Sequence, residues 1–275
     1  MKERTQDEER TQNKEYALIT GATGGLGKAF VFALAKRGYA LLLTGRSKEK
    51  LLTLQAEIQK KYSQICVRVY PADLADFNSR EILMEQIRAE GIFISLLANV
   101  AGADIQKGVA EYTQEKISFQ CRVNFEAAVS LCRFAIERKA THLKIINVSS
   151  VSGIYPMPYF AIYSATKSAL TSFSQSLRAE MRGKNVYVTA VLPGAMPTRE
   201  DIKEQIKGQG VWGKLAVKSP EKVAQASLNA VRKNKRKVIV GFWNKVMRIT
   251  TCWIPSFLRL RFIARRWSKI TKDAF

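Results

Sequence analysis

Short apolar runs alternate along this chain with longer stretches in which apolar positions return every three or four residues. The runs Tyr16–Ile19, Ala40–Thr44, Cys66–Tyr70, Ile94–Ala98, Leu143–Ser149, Val186–Leu192 and Val238–Val240 read as strands. Between them, Lys28–Arg37, Ser47–Tyr62, Phe77–Glu90, Thr113–Arg138, a segment from about 160 to Arg182, and Pro220–Lys233 carry the helical period. Apolar strands that alternate with helices predict an α/β protein: a mostly parallel seven-stranded sheet, doubly wound, with helices on both faces. Right-handed crossovers then gather ligands at the carboxyl ends of the strands. All the polar motifs described next fall at those ends.

The first lies directly after Tyr16–Ile19, where Thr20 to Gly27 reads TGATGGLG. Four glycines within seven residues, between a strand and a helix, allow backbone N–H groups and the positive helix end to approach a pyrophosphate. Gly21, Thr23, Gly25, Leu26 and Gly27 are the candidates for that cradle. A plain turn that needs glycine only for its geometry is the competing reading. The second motif is Ser150, Tyr163 and Lys167, at separations of 13 and 4. Positions i and i+4 share a helix face, so an ammonium at 167 stands beside a phenol at 163. A neighbouring cation is expected to lower the phenol pKa from about 10 toward neutrality and suit it to acid–base exchange with a carbonyl oxygen. Ser150, supplied from a strand end, would hold that oxygen. Tyr-x-x-x-Lys alone means little, since an ordinary amphipathic helix also produces it. The glycine turn supplies the context.

Thr20-Gly21-x-x-x-Gly25-x-Gly27, Asn99-Val-Ala-Gly102, Asn124, Ser150, Tyr163-x-x-x-Lys167 and Pro193-Gly194-Ala-Met-Pro-Thr198 together resemble the short-chain dehydrogenase/reductase family, from about residue 14 to 240. The resemblance implies a Rossmann domain and an oxidoreductase that reduces a ketone or aldehyde, reversibly, by hydride transfer. It implies catalytic roles for Ser150, Tyr163 and Lys167, with Ser150 and Tyr163 also contacting substrate. Asn124 would kink its helix and anchor a relay water. Asn99 and Gly102 would pack on the adenine-ribose side, Asp73 would bond the adenine, and Pro193, Gly194 and Thr198 would line the cofactor. The segment 198–212 would be the substrate lid. Two features depart from the pattern. The turn also reads Gly21-x-x-Gly24-x-x-Gly27, the spacing of longer relatives, although 275 residues leave little room for their added domain. Val100 also replaces the second asparagine of the usual Asn-Asn-Ala-Gly. The overall look is similar to bacterial relatives of 3-oxoacyl and hydroxysteroid reductases, whose members usually pair through two long helices as a homodimer or homotetramer.

The tip after the second strand reads Thr44-Gly45-Arg46-Ser47, with no carboxylate before Glu49. An acidic residue there would favour NAD, whereas Arg46, aided by Ser47, points to the 2′-phosphate of NADP(H). A solvated arginine at a helix start is the alternative. Asp73 equally suits a helix N-cap.

Composition then bounds the remaining readings. A chain of 275 residues that is 47% hydrophobic can bury one large core. Cys66, Cys121, Cys132 and Cys252 show no C-x-x-C pairing and read as free, buried thiols of a reducing cytoplasm, with no metal site. The single histidine, His142, stands before a strand and reads as a surface residue. Residues 1–14 are polar and charged, without a secretory signal, and read as a disordered leader ahead of a catalytic domain over 15–241.

Residues 242–275 form a basic extension. From Lys203 to Phe275 there are 18 Lys/Arg against three Asp/Glu, most of the net +22. Phe257, Leu260, Ala264, Trp267 and Ile270 recur at helical steps after Pro255, with Arg259, Arg266 and Lys269 off that line. Such a helix suits an anionic membrane surface at the inner face of the membrane. Packing on the domain or on a partner subunit fits equally. Nothing resembles a base-reading module, so specific nucleic-acid binding is not expected. A hydrophobic carbonyl substrate would suit the membrane reading. A Rossmann cofactor sensor or membrane scaffold without turnover is the alternative from another class.

Overall fold

Seven strands pair side by side in the order β3-β2-β1-β4-β5-β6-β7, every pairing parallel. They are β1 (Tyr16–Thr20), β2 (Ala40–Gly45), β3 (Val67–Pro71), β4 (Ile94–Asn99), β5 (Lys139–Val148), β6 (Val186–Leu192) and β7 (Lys237–Ile239). The computed structural model describes residues 15–196 and 217–268. The leader over 1–14, Thr198, the lid segment 198–212, Lys269 and Ile270 lie outside those residues.

The crossover helices are α1 (Gly25–Ala35), α2 (Lys48–Lys61) and α3 (Phe77–Ala89), then α4 (Gln114–Cys121), α5 (Ala127–Glu137), α6 (Ala161–Glu180) and α7 (Pro220–Arg232). Two more, α8 (Phe242–Cys252) and α9 (Ser256–Trp267), follow the last strand. The apolar stripes of α1, α2 and α7 pack with Leu41, Leu43, Leu96 and Val191 on one face of the sheet. On the other face α3, α5 and Leu177 of α6 cover Leu18, Leu42, Leu97 and Ile145. Burial on both faces explains why the strands read as unbroken apolar runs.

Helix starts are set by side chains that accept the orphan N–H groups of the first turn. Ser47, Asp76, Thr113 and Ser219 do this for α2, α3, α4 and α7. Asp73 therefore is not the cap of α3. Its carboxylate accepts from Ala75 N at 2.9 Å in a tight turn. The long helix expected over 113–138 is interrupted, because Arg122–Glu126 form a π-helical turn between α4 and α5. Arg80, 1% exposed, donates to Leu74 O and pairs with Glu126, tying α3 to that turn.

The chain order reverses between β1 and β4, which opens a crevice beside the carboxyl ends of those strands. Registers there are level: Ile19 pairs with Leu43 and Ala98, Asn99 with Asn147, and Val148 with Val191. His142 lies at the opposite, amino end of β5, with Nε2 3.3 Å from Glu15, and takes no part in the crevice. Cys66 and Cys132 are partly and fully buried free thiols, but Cys121 is exposed, against expectation, because α4 turns it away from the sheet. No described helix is long and apolar enough to cross a membrane.

Candidate active site

The glycine turn is built by close approach. Gly21 has φ +61°, and a Cβ there would stand 3.0 Å from Ala101 Cα. A Cβ on Gly27 would meet Gly21 O at 2.0 Å, so α1 rests directly on the turn. Ala22 N donates to Thr44 O, and Gly24 N to Gly21 O, which fixes the loop's path. Gly24 caps α1 without a side-chain partner, and Gly24 and Gly25 are exposed. The N–H groups of Gly25, Leu26 and Gly27 therefore lie in the first helical turn, where no intrahelical acceptor exists. That is a fitting cradle for a pyrophosphate, with Thr23 on its rim. Arg46 is exposed just past β2. The hydroxyl of the adjacent Ser47 accepts from Lys50 N and donates to Glu49. The helix cap has claimed that group.

The Asn99 side chain is turned away from the crevice. It is 4% exposed and points into the protein, donating to Asn147 Oδ1 at 2.8 Å and approaching Ala128 O and Cys132 Sγ. Asn147 in turn donates to Ser174 of α6 at 2.9 Å. The Asn99 side chain thus ties β4 and β5 to α6 below the crevice. Strand alternation sends its side chain to the far face, while the next residues curl upward. Thr20, which opens the glycine motif but was given no role of its own, holds them: its hydroxyl accepts from Val100 N at 2.9 Å and Ala101 N at 3.0 Å. Val100 joins the apolar core where an asparagine was lacking.

Asn124 falls inside the π-helical turn, 1% exposed. Its Oδ1 accepts from Ala103 N at 2.7 Å, and its Nδ2 donates to Ala103 O at 2.9 Å and Thr166 Oγ1 at 3.2 Å. This two-way clamp fixes the loop after β4 beside Gly102, where an added Cβ would lie 3.1 Å from Asn124 Oδ1 and 3.2 Å from Lys167 Nζ. The extra backbone residue of the π turn is what lets one amide reach both groups.

Ser150, 8% exposed, follows β5 and caps a short 3-10 turn over Val151–Gly153. That turn packs so tightly on α6 that a Cβ on Gly153 would lie 2.7 Å from Lys167 C. The packing brings the Ser150 hydroxyl close enough to the Tyr163 phenol to bear on its titration. Lys167, 4% exposed, donates to Val148 O at 3.0 Å, with its ammonium 5.7 Å from the centre of the Tyr163 ring. The three side chains converge at the carboxyl edge of β5. Pro193 and Gly194 follow β6 at the same edge, where Val151 N donates to Pro193 O.

The expected acidification of Tyr163 is not what this arrangement produces. Burial raises the Tyr163 pKa above its usual value, Asp104 raises it further, and only Ser150 opposes them. Burial also lowers Lys167 to about 8, with Asp104 opposing. Desolvation outweighs the mutual attraction because the ammonium faces the ring and Val148 O.

Phe160, which no motif singled out, and Trp267, read only as part of the basic tail, complete the rim. Phe160 stacks on Tyr163 at 4.3 Å between centroids, and Trp267 of α9 stacks on Phe160 at 6.3 Å. Tyr159, with φ +61°, makes the turn that presents Phe160. Farther out, Tyr155 donates to Arg248 O and accepts from Thr251, while the Arg259 guanidinium lies 4.9 Å above its ring. Leu260, Ala264 and Trp267 are half-buried in this packing, but Phe257 is 67% exposed and Arg259 faces inward, reversing their expected positions. The Tyr155 ring draws the guanidinium in.

Comparison with known proteins bears on the family and the fold. The family model described as short chain dehydrogenase matches residues 15–207. A very-long-chain 3-oxoacyl-CoA reductase of Anas platyrhynchos is 35% identical over 67% of this chain and 60% of its own length. The chain thus spans about 60% of that relative. Among solved structures, a short-chain dehydrogenase from Sphingobium yanoikuyae in complex with NADPH is 26% identical, with a TM-score of 0.73 over 95% of this chain and 98% of that one. A 7beta-hydroxysteroid dehydrogenase studied for its stereoselectivity is 25% identical, with a TM-score of 0.80 over 91% of this chain and 96% of its own. With a match over well beyond half its residues, the chain belongs to the short-chain dehydrogenase/reductase family of oxidoreductases.

Proposed function

We propose that this protein is an NADP(H)-dependent reductase of a hydrophobic ketone or aldehyde, reversible to the alcohol. The observation that carries the reading is the convergence of Ser150, Tyr163 and Lys167 at the crevice edge, with the Lys167 ammonium 5.7 Å from the centre of the Tyr163 ring. When bound, the nicotinamide supplies the hydride to the carbonyl carbon. The chain's own groups do the rest. The N–H groups of Gly25–Gly27 hold the pyrophosphate, and Arg46 pairs with the 2′-phosphate. Ser150 fixes the carbonyl oxygen, and Tyr163 donates its phenolic proton there. A pKa raised by burial keeps that proton in place at neutral pH, the form reduction needs. Lys167 holds the nicotinamide ribose, and Asn124 steadies the loop beside both and anchors a relay water.

The stacked Phe160 and Trp267 give the entrance an apolar wall. That wall and the 3-oxoacyl-CoA and hydroxysteroid names of the relatives favour an oxoacyl chain or steroid-like ketone. The proposal includes a homodimer or homotetramer paired through α4–α5 and α6. It also includes peripheral attachment to an anionic membrane at its cytoplasmic face by residues 242–275, supported by their charge. Consumption of NADPH with a panel of oxoacyl thioesters and ketosteroids tests the activity. Tyr163→Phe should lower kcat at least a thousandfold while leaving NADPH affinity within twofold. Near-normal turnover in that variant would refute the assignment, and NADPH binding without turnover on any carbonyl would favour a sensor.

A further inference from the structure

Eight of the fourteen exposed large apolar side chains among the described residues lie between Phe242 and Phe262. From Lys222 to Lys272 the sequence holds fourteen Lys/Arg and no Asp or Glu. Within this region a groove of about 410 Å³ runs between β7 and α8, lined by Ile239, Lys245, Arg248, Ile249 and Trp253. That volume falls in the range of about 300–1,000 Å³ typical of small-ligand sites. Lys245, Arg248 and Ile249 of α8, and Trp253 at its C-cap, share one helical face, being spaced by three, one and four residues. Ile239 forms a floor, 7% exposed, and Trp253 stands at the rim, 86% exposed. Lys237, two residues from that floor, has its ammonium pKa lowered by burial and then by Arg248 and Arg236, so several cations crowd one patch. None of the lining residues belongs to the catalytic set.

Cations along one wall beside an apolar floor and an exposed indole describe an amphiphile with an anionic head. We propose that this groove binds an anionic phospholipid, its phosphate between Lys245 and Arg248 and its first acyl carbons along Ile239, Ile249 and Trp253. The inference rests on the peripheral attachment proposed above and assigns the residues that select the lipid. A free phosphate would leave the apolar lining without purpose. A second copy of the chain would set two faces of like charge against each other. Through Tyr155, bonded to Arg248 O and Thr251, and through Trp267 on Phe160, the groove is joined to the catalytic rim. A lipid held there sets the entrance against the bilayer.

The test uses the full chain. Flotation compares phosphatidylcholine vesicles with vesicles containing phosphatidylglycerol, for wild type, Lys245→Gln/Arg248→Gln, and Lys222→Gln/Lys233→Gln as a control of equal charge. Wild type should float only with the anionic vesicles. The groove variant should lose at least tenfold in partitioning, and the control less than threefold. In parallel, monomeric dihexanoyl phosphatidylglycerol and glycerol phosphate are titrated against indole fluorescence, with Trp253→Phe to assign the signal. Saturable binding of the short-chain lipid but not of glycerol phosphate supports the proposal. Equal binding of both overturns it in favour of a soluble phosphate ligand. If wild type does not float, attachment itself fails and the groove assignment with it. If wild type floats and the groove variant matches the control, attachment stands and the groove is refuted. Salt-sensitive retention on duplex DNA without flotation would reassign the surface to nucleic acid.

Discussion

Lys167→Met isolates the energetic cost of burying an ammonium in the catalytic edge. In the folded protein Lys167 titrates at about 8, against 10.5 in an exposed lysine. Below about 8 both states carry the proton, and the folded state bears the full penalty. Between 8 and 10.5 the unfolded chain binds more protons than the native one, so stability rises with pH. A tenfold difference in proton affinity between the two states is worth about 1.4 kcal/mol, so the wild type should gain about 2 kcal/mol from this group between about pH 7 and 9.5. Stopping there avoids the Tyr163 phenol, whose raised pKa works in the opposite sense once unfolded tyrosines ionise near 10. Other lysines titrate identically in wild type and variant and cancel in the difference. Urea unfolding of both proteins without nucleotide, at half-unit steps of pH, measures it. The stability advantage of Lys167→Met over wild type should shrink by about 2 kcal/mol across that interval. A difference that is flat with pH would refute the claim that burial governs this ammonium.

Gly27→Ala sets a methyl against Gly21 O, which no side-chain rotation can relieve, so it should cost about 1–3 kcal/mol and weaken NADPH at least tenfold. Thermal melts and calorimetric titration check it, and wild-type values in both would overturn the account of the turn. Arg46→Ser removes the guanidinium assigned to the 2′-phosphate, worth about 1.5–3 kcal/mol as a charged hydrogen-bonded contact. The KM for NADPH should rise about tenfold or more while that for NADH stays put, and equal effects on both would reject the role. Trp267→Ala removes a ring stacked on Phe160, a contact worth about 0.5–1.5 kcal/mol. The KM for bulky apolar carbonyls should rise several-fold with NADPH affinity unchanged, and an unaltered KM would remove Trp267 from the substrate wall.

Local periodicity was enough to reveal the strand–helix alternation, the seven strands to within a residue or two at most ends, and the edge on which chemistry gathers. Glycine added the turn, because its missing side chain marks close approach wherever it clusters. The Ser150, Tyr163 and Lys167 spacing was legible for a related reason, since i and i+4 meet on any helix. What each group faces came from the folded chain alone. Asn99 points into the interior because strand alternation and its partner Asn147, 48 residues away, draw it there. The helix through Asn124 opens into a π turn because its amide must clamp Ala103. The Tyr163 pKa moves up where a neighbouring cation alone would bring it down, because desolvation depends on everything packed around the phenol, which no spacing encodes. Phe160 meets Trp267 across 107 residues, and Arg259 turns inward onto Tyr155, through contacts that exist only once the chain has closed on itself.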